Sequence, residues 1–257
     1  MPVASKPKKN ARYDLKAADR KRNLFVQIGL TSIVVLFAAA LILYILMSAD
    51  DKPTAGETKS VRVASNSVIT KDGTDEPKAV ISLYEDALCP ACAAFEQGFG
   101  PTLTNITDSG AAAIDYHMVG ILNRPQNDNY SSRAGGAAYC VADQSVEAFQ
   151  RFHAALYAQQ PSETGTSYPD NAQLIELARQ AGASENVPEC ISKGTYVDMV
   201  AGMAGAAGIT GTPTLRINGE DYQYSTPEAL VAKIEEIVGD VPGLQAAPPA
   251  QAPTPAS

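Results

Sequence analysis

The sequence predicts an α/β domain with an inserted helical region, preceded by a single transmembrane helix. Three observations carry that expectation. Apolar or alternating runs at 79–84 and 113–119 flank a segment of helical spacing that opens with Cys89-Pro90-Ala91-Cys92. Residues 131–207 then keep a helical period, after which a strand pair and a last helix return. Ahead of everything, Leu24–Met47 is a run of 24 residues without a charge.

Taken in order, residues 1–23 hold eight Lys/Arg against Asp14 and Asp19, a net charge of +6, and read as a basic cytoplasmic segment. A helix over 24–47, rising about 1.5 Å per residue, spans a hydrocarbon core of roughly 30 Å. The basic flank keeps the N-terminus in the cytoplasm and puts the rest of the chain outside, in the cell-membrane-anchored, extracytoplasmic arrangement. The alternative is a signal peptide cleaved after Ser48-Ala49, although signal h-regions run to about 7–15 residues. Residues 48–60, polar with Pro and Gly, read as a linker. Beyond Met47 the chain has 12 basic and 26 acidic residues, a net −14. So acidic a domain repels phosphate and is a poor candidate for binding nucleic acid, which is not expected as a partner.

The folded domain is expected over 61–240. Ser60–Thr70 alternates through Val61 and Val63 toward Val68-Ile69, as an edge strand does. Ala79–Tyr84 reads as a buried strand and Cys89–Asp108 as a helix, with Pro101 expected to kink or end it. Ala113–Val119, alternating through Ile114, Tyr116 and Met118, is the third strand. That β–α–β order implies a parallel, right-handed crossover. The helical insertion covers about 130–207, and Gly208 is its stop. Thr214–Ile217, Asn218-Gly219 and Asp221–Tyr224 make a hairpin signal. Thr226 caps a final helix with Pro227 in its first position and Leu230, Ile234 and Ile237 on one face. Residues 241–257, rich in Pro, Ala and Gln, are expected to be a disordered tail.

The chemistry centres on Cys89 and Cys92. Two thiols two residues apart at a helix N-terminus close a disulfide reversibly, and the helix dipole favours a thiolate, with pKa values of about 3.5–7 in such motifs. Cys89 is expected to be the nucleophile, its sulfur facing solvent, with Cys92 shielded one turn inward. The alternatives are a structural disulfide and half of a zinc site completed by Cys140 and Cys190. Outside the cell, Cys140 and Cys190 are expected to close a structural disulfide; free buried thiols and a second redox pair are the alternatives. Glu85 and Asp86 precede Cys89 by four and three residues. They are candidates to modulate the thiol pKa or take up a proton, against the alternative of solvated strand-end carboxylates. His117 and His153 have no metal or catalytic spacing and are expected to be structural. Tyr139, Tyr157 and Tyr168 are expected to pack.

The order strand, Cys-Pro-x-Cys, helix, strand, helical insert, Thr-Pro, hairpin, helix resembles the DsbA-like branch of the thioredoxin superfamily over roughly residues 60–240. The single-anchor, acidic, Ala-rich version is similar to those of actinobacteria. The resemblance implies a thioredoxin-like fold with an inserted helical domain. It carries over Cys89 as nucleophile, and Thr212 with a cis Pro213 as the lining of the substrate-peptide site. Two positions depart from the best-known oxidase pattern: Pro-Ala stands in place of Pro-His, and Thr212 in place of Val. Thr before the proline recurs among isomerase-like relatives. The implied function is an extracytoplasmic thiol–disulfide oxidoreductase that introduces disulfide bonds into exported, cysteine-containing proteins and passes electrons to a quinone-linked membrane partner. No cofactor and no metal are expected. A membrane-tethered reductase or isomerase, and a non-catalytic binding module on the same fold, are the competing readings.

Overall fold

The computed structural model describes residue 30 and residues 54–250. The expected cytoplasmic segment, the transmembrane helix and the start of the linker lie outside the described residues, as do residues 251–257. Among the described residues no helix is long and apolar enough to cross a membrane. The fold is that of the unit Lys52–Ser257.

Five strands form one sheet in the order β1-β3-β2-β4-β5. They are β1 (Val61–Val63), β2 (Val80–Glu85), β3 (Ala113–Met118), β4 (Thr214–Ile217) and β5 (Glu220–Tyr222). β2 and β3 are parallel, as a β–α–β crossover requires, and the helix between them is α1 (Pro90–Asp108). The other pairings are antiparallel, with β1 at one edge and the β4–β5 hairpin at the other. Asn218 and Gly219 both take positive φ in the hairpin turn, which an Asn-Gly pair tolerates. Ile81, Leu83, Ile114, Leu215 and Ile217 share one core with Phe95, Leu103 and Ile106 of α1 and with Leu230 and Ile234 of α7 (Pro227–Val238). Thr226 caps α7 by accepting from the Ala229 N–H.

The insert comprises α2 (Tyr130–Ala142), α3 (Val146–Ala158), α4 (Asn171–Gln180), α5 (Val187–Lys193) and α6 (Val197–Ala206). Its apolar faces form a second core, which reaches the sheet through Val61, Val63, Tyr84 and Met118. α2 and α6 pack closely because Gly135 has no side chain; a Cβ there would stand 2.9 Å from Val200 Cγ1. Gly208, at φ +67°, ends the insert, and the Ile209 N–H returns to the Ala204 carbonyl.

Two expectations are corrected here. Of the two outcomes expected at Pro101, a kink or an end, the end does not occur: α1 continues for seven residues beyond it to Asp108. A proline inside a helix orphans the carbonyl four residues back, here that of Gln97. The Ala250 N–H donates to that carbonyl at 2.8 Å. The second correction follows from the first: residues 241–250, expected as part of a disordered tail, lie along α1. Leu244 is buried in the sheet core, Thr102 Oγ1 accepts from the Ala247 N–H at 2.9 Å, and Asn105 Nδ2 donates to the Gln245 carbonyl at 2.6 Å. One buried leucine and four hydrogen bonds, the fourth from Thr102 Oγ1 to the Ala247 carbonyl, hold a segment whose composition argued against packing.

Candidate active site

β2 delivers Glu85 and Asp86 to the point where the chain turns into α1, and both are buried rather than solvated. Asp86 shapes the turn. Its carboxylate accepts from the Leu88 N–H and, across the sheet end, from the Leu122 N–H, each at 2.8 Å. The Cys89 N–H bonds the Asp86 carbonyl at 3.0 Å. Cys89 thereby becomes the N-cap of α1, and Pro90, its φ already helical, takes the first position. Burial raises the Asp86 pKa, while the hydrogen bonds it accepts oppose that shift.

Cys89 and Cys92 are free thiols, one turn apart, and they share a small apolar cluster with Tyr157 of α3. The cluster lies where the sheet meets the insert. From the other side, 123 residues on, the Thr212–Pro213 peptide is cis, and the Cys89 thiol donates to the Thr212 carbonyl at 3.4 Å. Gln160 closes the ring: its Nε2 donates to the Ala87 and Cys89 carbonyls at 3.1 and 3.0 Å.

The two sulfurs are electrostatically unlike. A hydrogen bond from the Cys92 thiol is the largest cause holding the Cys89 thiol down at about 6. The Thr212 side chain and the Cys92 and Ala91 N–H groups add to it against the cost of burial. Desolvation pushes Cys92 far up, and the hydrogen bond to Cys89 and the nearby Glu85 reinforce that. Cys89 is thus the thiol that ionises and Cys92 the one that keeps its proton. One expectation is corrected: Cys89 is not open to solvent but 7% exposed, with Cys92 at 0%. Thr212, Tyr157 and the helix start enclose it.

Cys140 and Cys190 are joined by a disulfide between α2 and α5, with their Cα atoms 5.8 Å apart. That bond removes the thiolates a four-cysteine zinc site needs. His117 hydrogen-bonds the Lys59 carbonyl at 3.2 Å and stacks on Tyr84. The Tyr139 hydroxyl accepts from the Met118 N–H and donates to the Lys59 carbonyl, and Tyr168 donates within its own loop.

Beneath Cys92 lies a polar cluster that sequence reasoning did not assemble. His153 of α3 places Nε2 2.9 Å from Glu85 Oε2, both side chains being buried. Glu96 of α1 joins them. Desolvation, reinforced by the nearby Glu85 charge, raises the Glu96 carboxyl to about 8, and burial drives Glu85 up and His153 down. Glu96 had a local signal, since it lies one helical turn after Cys92 on the same face. His153 and Gln160 had none.

A family model described as thioredoxin matches residues 70–236. DsbA from Mycobacterium tuberculosis is 57% identical, covering 72% of this chain and 95% of that one with a TM-score of 0.71. A disulfide bond oxidoreductase, DsbG, from the same organism is 59% identical, covering 72% and 90%, also with a TM-score of 0.71. MdbA, a thiol-disulfide oxidoreductase from Corynebacterium diphtheriae, has the same fold at 24% identity, covering 73% and 96% with a TM-score of 0.54. The serine/threonine-protein kinase PknE of M. tuberculosis is 28% identical over 151 residues, 57% of this chain, and this chain spans 26% of that kinase's length.

Proposed function

On the premise that the chain belongs to the thioredoxin family and is a DsbA-like thiol–disulfide oxidoreductase, we propose that it introduces disulfide bonds into exported proteins. The observation that carries this reading is the acidic Cys89 thiol, held against the Thr212 carbonyl and backed by a buried, protonated Cys92.

In the oxidised enzyme a substrate thiolate attacks Cys89 Sγ. The Cys89–Cys92 bond breaks, and Cys92 leaves as a thiolate that takes up a proton. The mixed disulfide to Cys89 is then attacked, on the substrate's sulfur, by a second substrate thiolate, and Cys89 leaves as the stable anion. Two electrons pass from the substrate dithiol to the enzyme. A low-pKa leaving thiolate favours the reduced enzyme, which makes its disulfide a strong oxidant. Thr212 and Pro213 border the nucleophile, and an extended substrate segment pairs there with exposed backbone. Glu85 acts on Cys92 electrostatically, and Asp86 acts through the turn it holds.

The reading also places residues 24–47 in the cell membrane as a single-pass anchor, with the N-terminus cytoplasmic and the catalytic domain outside. A quinone-linked membrane protein reoxidises the reduced site. The uncharged run with its basic flank supports the anchor, and the need to discard two electrons per turnover supports the partner.

The test is the Cys89–Cys92 reduction potential in a glutathione redox buffer. An oxidase gives a value near about −120 mV, whereas a value near about −270 mV assigns the chain to disulfide reduction and overturns the proposal.

A further inference from the structure

The groove between α1 and α3 is a cavity of about 770 Å³ whose rim includes the exposed Gln97 and Ala154. Glu96, His153, Tyr116 and Tyr157 line it. One donor atom each from Glu85, Glu96 and His153 lies within 4.8 Å of the other two. Glu85 Oε1 and Glu96 Oε1 are buried there without a hydrogen-bond partner, as is the Tyr157 hydroxyl. Among the described residues, the only basic partner of either carboxylate is His153. Two carboxylates this dry call for a positive charge or a proton, and buried carboxylates without either are costly.

We infer that Glu85, Glu96 and His153 bind one divalent first-row transition-metal ion, of which zinc is the representative. The donor set, two carboxylate oxygens and one imidazole nitrogen, suits such an ion. A tetrahedral ion with bonds of about 2.0–2.2 Å keeps its donors roughly 3.4 Å apart. The three donor atoms now lie within 4.8 Å of one another, with Glu85 Oε2 and His153 Nε2 at 2.9 Å, so binding asks that pair to part slightly and the wider separations to close. The fourth position faces the groove, which is the entry path and the place for a water. Glu85 and Glu96 lie on either side of the β2–α1 turn and His153 comes from the insert, so the ion ties the two cores together beneath the thiols. Because Glu85 also acts on Cys92, a bound ion offsets that charge beneath the thiols, but its binding does not depend on the direction of thiol exchange.

The test uses the full chain, stripped of metal and with Cys89–Cys92 oxidised so that no thiolate competes. Titration with Zn²⁺ by calorimetry is expected to show one ion per chain, with affinity falling roughly tenfold or more in Glu96→Gln and in His153→Ala. Co²⁺ bound to the unaltered oxidised chain is expected to give a four-coordinate spectrum without a thiolate charge-transfer band, a readout independent of how well either variant folds. Three results overturn the inference: no binding to the oxidised chain, binding that appears only once the thiols are reduced, and an octahedral, oxygen-only Co²⁺ spectrum. The first would mean that protons alone neutralise the carboxylates.

Discussion

At the scale of single residues, the asymmetry between two chemically identical thiols decides the chemistry. Cys89 gains hydrogen bonds that favour its anion, whereas Cys92 is dry and sits near a carboxylate. In the reduced protein, alkylation of Cys89 by iodoacetamide should therefore rise through a midpoint near about 6 and level off above it. In denaturant the midpoint should return to about 8.5, the ordinary thiol value. The sign follows from linkage. The folded Cys89 pKa is depressed, so its contribution to the stability of the reduced form is fully present above the unfolded pKa. It is lost as pH falls through about 6. Cys92→Ala removes the largest cause of the depression, so the midpoint should move up; a midpoint unmoved in that variant would assign the acidity to Thr212 and the helix start. Both cysteines were legible from their spacing. The 7% exposure of Cys89 was not, because the residues covering it come from elsewhere in the chain.

At the scale of elements, the insert depends on a cross-link between helices that touch only in the fold. Cys140 and Cys190 are 50 residues apart, and closing that loop stabilises by ~4 kcal/mol in the chain-entropy model. The double substitution Cys140→Ser, Cys190→Ser should lower the urea midpoint accordingly while the Cys89 alkylation profile keeps its midpoint. An unchanged midpoint of unfolding would show that the insert's apolar core suffices alone. Helix existence, the Thr226 cap, the Gly208 stop and the Asn218-Gly219 turn were all readable, since each rests on a hydrogen-bonding pattern spanning a few residues. That α1 runs on past Pro101 was not readable, for the opposite reason. Whether a proline breaks a helix depends on whether anything satisfies the freed carbonyl, and here the donor is Ala250.

At the scale of the whole molecule, the last described residues return to the first helix after the motif. Deleting residues 241–257 should expose the Leu244 pocket and the Gln97 carbonyl, costing about 2–3 kcal/mol on the basis of one buried leucine and its neighbouring bonds. A shortened chain as stable to urea as the full one would restore the disordered-tail reading. The site too is assembled at this scale: Cys89 from the N-cap of α1, Thr212 from 123 residues later, and Gln160 from the insert.

What the sequence by itself determined is what short-range chemistry controls: the redox pair, the alternation of the strands, the period of the insert, the caps and turns. The β–α–β order implied the parallel crossover because few chain paths satisfy it. The tertiary structure alone decided which distant groups meet. Glu85 and His153 are 68 residues apart in the chain and 2.9 Å apart in space, and Cys89 is enclosed by residues no local pattern announces. Proximity of that kind follows from how two cores pack against one sheet, a property of the summed burial of many side chains rather than of any segment.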